Sequence, residues 1–246
     1  MGAVSIGILN KSKKVTNQQV SDMTAAIQMQ LSTHVAPAWN RTQPVVQFFS
    51  DPKKLPASFA PITIMDNPDA PDALGYHTEA NGKPYGLIFV NPVLDNGGDI
   101  IFQGGQFPLT VSSVLSHEAI EYFCDPFVNS WCDGPELPEG TEYALEACDP
   151  VESNAYLVAV GKTQVLVSNF VFPSWFDTQA ASGTRFDYMK LAKQPFTMTK
   201  WGYMVVRNGP GTETQVFGES YPEWRKKLKA HAVARAQKRH KQKRTK

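Results

Sequence analysis

The segment Ser116-His117-Glu118-Ala119-Ile120-Glu121-Tyr122-Phe123 carries the densest chemistry in the chain. In a helix, His117 and Glu121 are four residues apart and project from one face, a turn apart, with Glu118 beside them. The other positions, Val111, Val114, Leu115, Ala119, Ile120, Tyr122, Phe123 and Cys124, are apolar nearly all round, and a helix of that kind is buried. Two carboxylates and an imidazole are costly there unless paired or bound to a cation. A divalent cation compensates all three at once. From the chain's own content of His and Glu, a His-Glu-x-x-Glu pattern arises by chance about 0.01 times. A second segment, Glu142-Tyr143-Ala144-Leu145-Glu146-Ala147-Cys148-Asp149-Pro150, again sets carboxylates in apolar surroundings and reads as a short helix. The competing readings are a solvated helical face with i, i+4 pairing for the first segment and loop or N-cap carboxylates for Glu146 and Asp149. A cysteine-rich site joining Cys124, Cys132 and Cys148 to His117 lacks any Cys-x-x-Cys pair.

Elements that could position these residues follow from periodicity. Val4 to Leu9 reads as a buried strand, and Thr16 or Asn17 caps a helix with Val20, Met23, Ile27 and Leu31 on one face, stopped by Pro37. Val45 to Phe49, Ile62 to Met65 and Tyr85 to Val90 read as strands, the second ended by Asp66-Asn67-Pro68-Asp69. Residues 108 to 124 form a second helix, opened by Pro108 or Thr110 and ended by Pro126. Residues 125 to 142 read as loop, Tyr156 to Val160 and Thr163 to Val167 as a hairpin about Gly161, and Tyr203 to Val206 as a late strand before the turn Asn208-Gly209-Pro210-Gly211. Strand, helix, strands, helix and then irregular structure is an α+β order. The expected organisation is one domain over residues 1–223, with sheet and N-terminal helix in 1–107, the metal site in 108–150 and a C-terminal subdomain in 151–223. A basic tail, 224–246, follows.

The 246 residues, 42% hydrophobic and 19% charged, exclude disorder and fibrous classes. No apolar run reaches the ~18 residues of a membrane helix. The start, apolar from Met1 to Leu9 before Lys11, Lys13 and Lys14, is the reverse of a signal peptide, so a cytoplasmic or virion-associated protein is expected. The net charge of +1 hides an asymmetry: Arg225 to Lys246 holds 11 Lys or Arg and no acid, and the remainder balances at −10. Arg225, Lys226, Lys227, Lys229, Arg235, Lys238, Arg239, Lys241, Lys243 and Arg244 of that tail are candidates for binding nucleic acid or another polyanion through phosphates, without sequence preference. The alternative is a solubilising end.

In its metal-helix pattern and downstream carboxylates the chain resembles the zincin metallopeptidases, in the branch whose third ligand is a later glutamate. The resemblance covers roughly residues 1 to 150. It implies a zincin-like α+β fold: a small mixed sheet with an edge strand over the metal helix, Tyr85 to Val90 being that edge, and an irregular C-terminal half. It implies one divalent metal, zinc by the family's habit, on His117, Glu121 and Glu146, with Asp149 orienting a ligand from behind. Glu121 departs from the family by standing where a second His belongs. One His with two carboxylates is a harder donor set than zinc usually receives there. The implied activity is peptide or amide hydrolysis of a protein substrate by a metal-activated water, with Glu118 as general base and Tyr143, Tyr156 or His77 stabilising the oxyanion. Zincin-like chains also occur among proteins of bacterial viruses, so the alternative is a non-catalytic structural or virion protein whose basic tail touches nucleic acid.

Overall fold

Parallel strands buried on both faces demand continuous apolar runs, and the first strands of this chain supply them. A computed structural model describes residues 4–69, 73–102, 104, 109–135, 140–208 and 213–220. Pro108, residues 209–211 of the expected turn and the whole basic tail lie outside them. Strand β1 (Ser5–Asn10) buries Ile6 and Ile8 completely and runs parallel to β2 (Val45–Phe49) on one side and β3 (Ala60–Met65) on the other. Between β1 and β2 lies helix α1 (Asn17–Gln30), opened by a reciprocal cap in which the Thr16 hydroxyl accepts from Gln19 N–H and the Gln19 side chain accepts from Thr16 N–H. The helical course continues through a π-turn (Leu31–Val35) into the short α2 (Ala36–Ala38) and ends one residue after Pro37.

The sheet ends differently from the expected arrangement. Strand β5 (Lys83–Phe89) is parallel to β3 but is not the edge; β4 (Gly75–Ala80) pairs outside it, antiparallel, giving the order β2-β1-β3-β5-β4. The cause is the two-residue turn Asn81-Gly82. Both residues have positive φ, 54° and 74°, the backbone of a tight hairpin whose twist matches the strands. Chain then passes through α3 (Val90–Asp95) to α4 (Val111–Cys124), capped by Thr110 and Ser113 and ended at Asp125 before Pro126.

Beyond α4 the chain holds more strand than the sequence suggests. The span 125–142 contains β6 (Trp131–Asp133), and Glu142 to Pro150 is not a helix. It enters as β7 (Thr141–Ala144), paired with β6 and with β10 (Tyr203–Asn208), and leaves as a 3-10 turn, Asp149–Val151. Non-local partners override local propensity: across the strands Arg207 grips both carboxylate oxygens of Glu142 at 2.6 and 2.9 Å, and the Tyr143 ring packs edge-on against Phe196 of a later turn. Hairpin β8 (Ala155–Val160) and β9 (Thr163–Ser168) forms as expected, and β11 (Glu213–Phe217) completes the order β11-β10-β7-β6. The architecture is mixed α+β, with a main core around α1, α4, the first sheet and the hairpin, and a smaller one around Trp175 and Phe196. No helix among the described residues is long and apolar enough to cross a membrane.

Candidate metal centre

All fourteen residues of α4 are buried, because it packs between β4 and β5 on one side and β9 and α1 on the other. Its polar residues fix its rotation. Ser116 Oγ donates to Gln30 Oε1 at 2.7 Å and accepts from Ser168 N–H at 3.0 Å, while Ser112 Oγ donates to the Leu166 carbonyl at 2.7 Å. With that face turned to α1 and β9, His117, Glu118 and Glu121 meet β4 and the 3-10 turn after β7.

Two groups of ligand-type atoms result. In the first, His117 Nε2 lies 3.1 Å from Glu121 Oε1 and 3.1 Å from Asp149 Oδ1. The Cys148 thiol joins His117 and Glu121 within a 4.8 Å span, and Cys148 N–H donates to Glu121 Oε1 at 3.1 Å. In the second, His77 Nδ1 lies 3.2 Å from Glu118 Oε2 and 3.9 Å from Glu121 Oε2. His77, His117, Glu118, Glu121 and Asp149 are each at most 7% exposed. These buried His, Glu and Cys groups could hold a metal ion. Ligands at ~2.1 Å from one cation, seen at 90–110°, stand about 3.0–3.4 Å apart, and each of the two contacts of His117 Nε2 has that length.

Charge confirms how unusual the interior is. Burial alone would lower the His117 pKa, but the Glu121 charge and the contacts with Asp149 and Glu121 overcome it and hold it well above the ordinary value. Burial likewise opposes the charge on His77, and Glu118 and Glu121 reverse the balance, raising its pKa. Glu146 is pushed well above the carboxylate range by burial and then by the neighbouring charges of Glu121, Asp149, Asp125 and Glu118. The Cys148 thiol is pushed up by burial and by Glu121.

Of the residues singled out from sequence, His117, Glu118, Glu121 and Asp149 converge, and His77 joins them. Asp149 Oδ1 lies against the His117 ring, 3.1 Å from Nε2. The two groups of atoms that span no more than 4.8 Å are His117, Glu121 and Cys148, and His77, Glu118 and Glu121; Asp149 stands beside the first through His117, and Glu146 belongs to neither, its Oε2 buried with no hydrogen-bond partner among the described residues. Glu146, Asp149, Tyr143, Pro150, Trp175 and Met204 line a small pocket of about 10 Å³, room for roughly one water molecule. The Tyr156 hydroxyl is engaged by Gln30 Nε2 at 3.0 Å and His34 Nδ1 at 2.9 Å. Sequence reading gave Cys148 only a place in a cysteine-rich alternative, and all three cysteines are free thiols. It also missed the tie between His77 and Glu118, for which the Asn81-Gly82 turn signal was available. No protein-family model, curated protein or solved structure matches the chain.

Proposed function

We propose that this protein is a metal-dependent peptidase or amide hydrolase of zincin-like fold, with its divalent cation on His117, Glu121 and Asp149. One observation carries the reading: a single imidazole nitrogen, His117 Nε2, faces two carboxylate oxygens at 3.1 Å. One N–H cannot serve both well, whereas one cation can. An antiparallel edge strand beside the buried His-Glu-x-x-Glu helix supports the zincin-like assignment. When bound, the cation supplies Lewis acidity toward a carbonyl oxygen and an attacking water. Glu118 accepts the proton that the water loses as its oxygen bonds to the carbonyl carbon, and returns it to the amine nitrogen as the C–N bond breaks. Tyr143 lines the same pocket as Asp149 and is the best placed of the oxyanion donors, since the Tyr156 hydroxyl and both His77 nitrogens are already engaged. Replacing Glu118→Gln should leave a cation at His117 and the fold in place but lower cleavage of a panel of unfolded proteins by about 10²–10⁴-fold. Equal cleavage by both forms excludes Glu118 as the base.

The burial of every ligand favours a second reading, a cation that only braces a structural protein. In that case the wild type, loaded with zinc, manganese or cobalt, cleaves nothing, and the basic tail becomes its functional contact with nucleic acid.

A further inference from the structure

The two oxygens of Glu121 face different partners. Oε1 points to His117 Nε2, and Oε2 points toward His77 Nδ1. We propose that the centre takes two divalent cations bridged by Glu121, the second held by His77 Nδ1, Glu118 Oε2 and Glu121 Oε2. The inference rests on the metal-centre reading above and extends it.

Two independent features support the second position. The first is the setting of His77. Its Nε2 lies 3.1 Å from the Asp125 carbonyl at the end of α4, so that nitrogen carries a proton and donates it. The other nitrogen, Nδ1, is thereby left to face two carboxylates, 3.2 Å from Glu118 Oε2 and 3.9 Å from Glu121 Oε2. A histidine whose far N–H is fixed by a backbone carbonyl is the usual posture of a metal ligand, because the bond sets tautomer and ring direction. The second is the residue type at 121. A histidine there would offer one nitrogen to one ion. A carboxylate offers an oxygen to each of two ions, and paired sites of this kind hold their ions about 3.5–4 Å apart. The departure from His-Glu-x-x-His is the substitution that bridging requires.

The test is equilibrium dialysis of the full chain against Mn²⁺, with bound metal measured by elemental analysis, together with the EPR spectrum of the loaded protein. Wild type should hold two Mn²⁺ per chain with the broadened signal of an exchange-coupled pair. His77→Leu and Glu118→Gln should each hold one, with the resolved six-line pattern of an isolated ion; thermal melts of both variants establish that they fold, and Glu118→Gln carries the test if His77→Leu does not. One ion per chain in wild type and in both variants overturns the two-cation inference and leaves the single-cation centre standing. Two ions retained in both variants overturn the assignment to His77 and Glu118. No bound ion in wild type overturns this inference and the metal-centre reading together.

Discussion

The two halves of this centre are built by different means. His77, His117, Glu118 and Glu121 stand on a strand and a helix, each held by a repeating ladder of backbone hydrogen bonds and by buried apolar neighbours. Cys148 and Asp149 stand on an irregular connection placed by isolated contacts: Cys148 N–H to Glu121, Val171 N–H to the Ala147 carbonyl at 2.7 Å, and Thr199 N–H to the Pro150 carbonyl at 2.9 Å. Residues on regular elements keep their spacing because many bonds must break together to move them. Residues on a connection keep theirs only while a few specific bonds and a close fit persist. Half of the centre is thus fixed by the fold, and half is held against it.

Removing a ligand from the regular half should have the largest effect. His117→Ala takes away the atom that both Glu121 and Asp149 face, so the ion between them should be lost outright in a dialysis measurement. The stability that ion supplies, about 2.7 kcal/mol at a hundredfold excess over its dissociation constant, should go with it in a thermal melt. Asp149→Asn sharpens the comparison. If the connection contributes a direct ligand, affinity should fall by more than the ~10–100-fold that loss of an outer partner costs. A smaller loss places the whole ligand set on the helix and strand.

The same division explains what the sequence disclosed. The helix carrying His117, Glu118 and Glu121 was legible because its burial, cap and stop are local: an apolar surround, Thr110 before it, Pro126 after it. β1, β2, β3, β5 and the β8–β9 hairpin announced themselves through β-branched runs and turn residues. Strand β4 did not, since Gly75-Tyr76-His77-Thr78-Glu79-Ala80 has no apolar alternation; its sign was the Asn81-Gly82 turn, a feature of the pair and not of the strand. The segment 142–150 misled for a different reason. Its helical composition is overruled by pairing with β6, the strand just before it, and with β10, which lies far from it in sequence and whose pairing no local pattern reveals. The nearness of Asp149 to His117 depends on that pairing and so has no local sign; the zincin resemblance implies Glu146 as third ligand instead.

The irregular half should also be the easier to disturb from a distance. A Cβ on Gly202 would lie 2.0 Å from the Pro150 carbonyl oxygen, and this contact is backbone, not a side-chain tip that can swing away. Gly202→Ala should therefore push the 149–151 turn off its seat, costing about 1–3 kcal/mol of stability by denaturant unfolding, the usual range for overpacking. It should weaken cation binding with no residue of the centre changed. An equally stable Gly202→Ala protein with unaltered affinity shows the turn to be braced by other contacts, and the contrast between the halves loses its basis.

The smallest effect expected is the pH dependence of the cation-free protein, and it separates the halves by where it falls. Glu146, His77 and His117 all have folded pKa values above their ordinary ones. The folded state then binds more protons than the unfolded chain, so each contribution is fully present below the unfolded pKa and is lost as pH rises through the folded one. For Glu146 the loss begins above 4.5, and for the histidines above 6.5. With chelator present, melting temperature should fall in two stretches as pH is raised, each group contributing no more than about 1.4 kcal/mol per pH unit. Glu146→Gln, in the irregular half, should abolish the lower stretch alone, and His77→Leu should shrink only the upper one. A saturating cation displaces the protons from the histidines and so should flatten the upper stretch, because it then does the work those protons did. A melting temperature that climbs with pH across the lower stretch in the chelated protein means that Glu146 is ionised and compensated in the fold, and its buried Oε2 has found a partner that neutralises it.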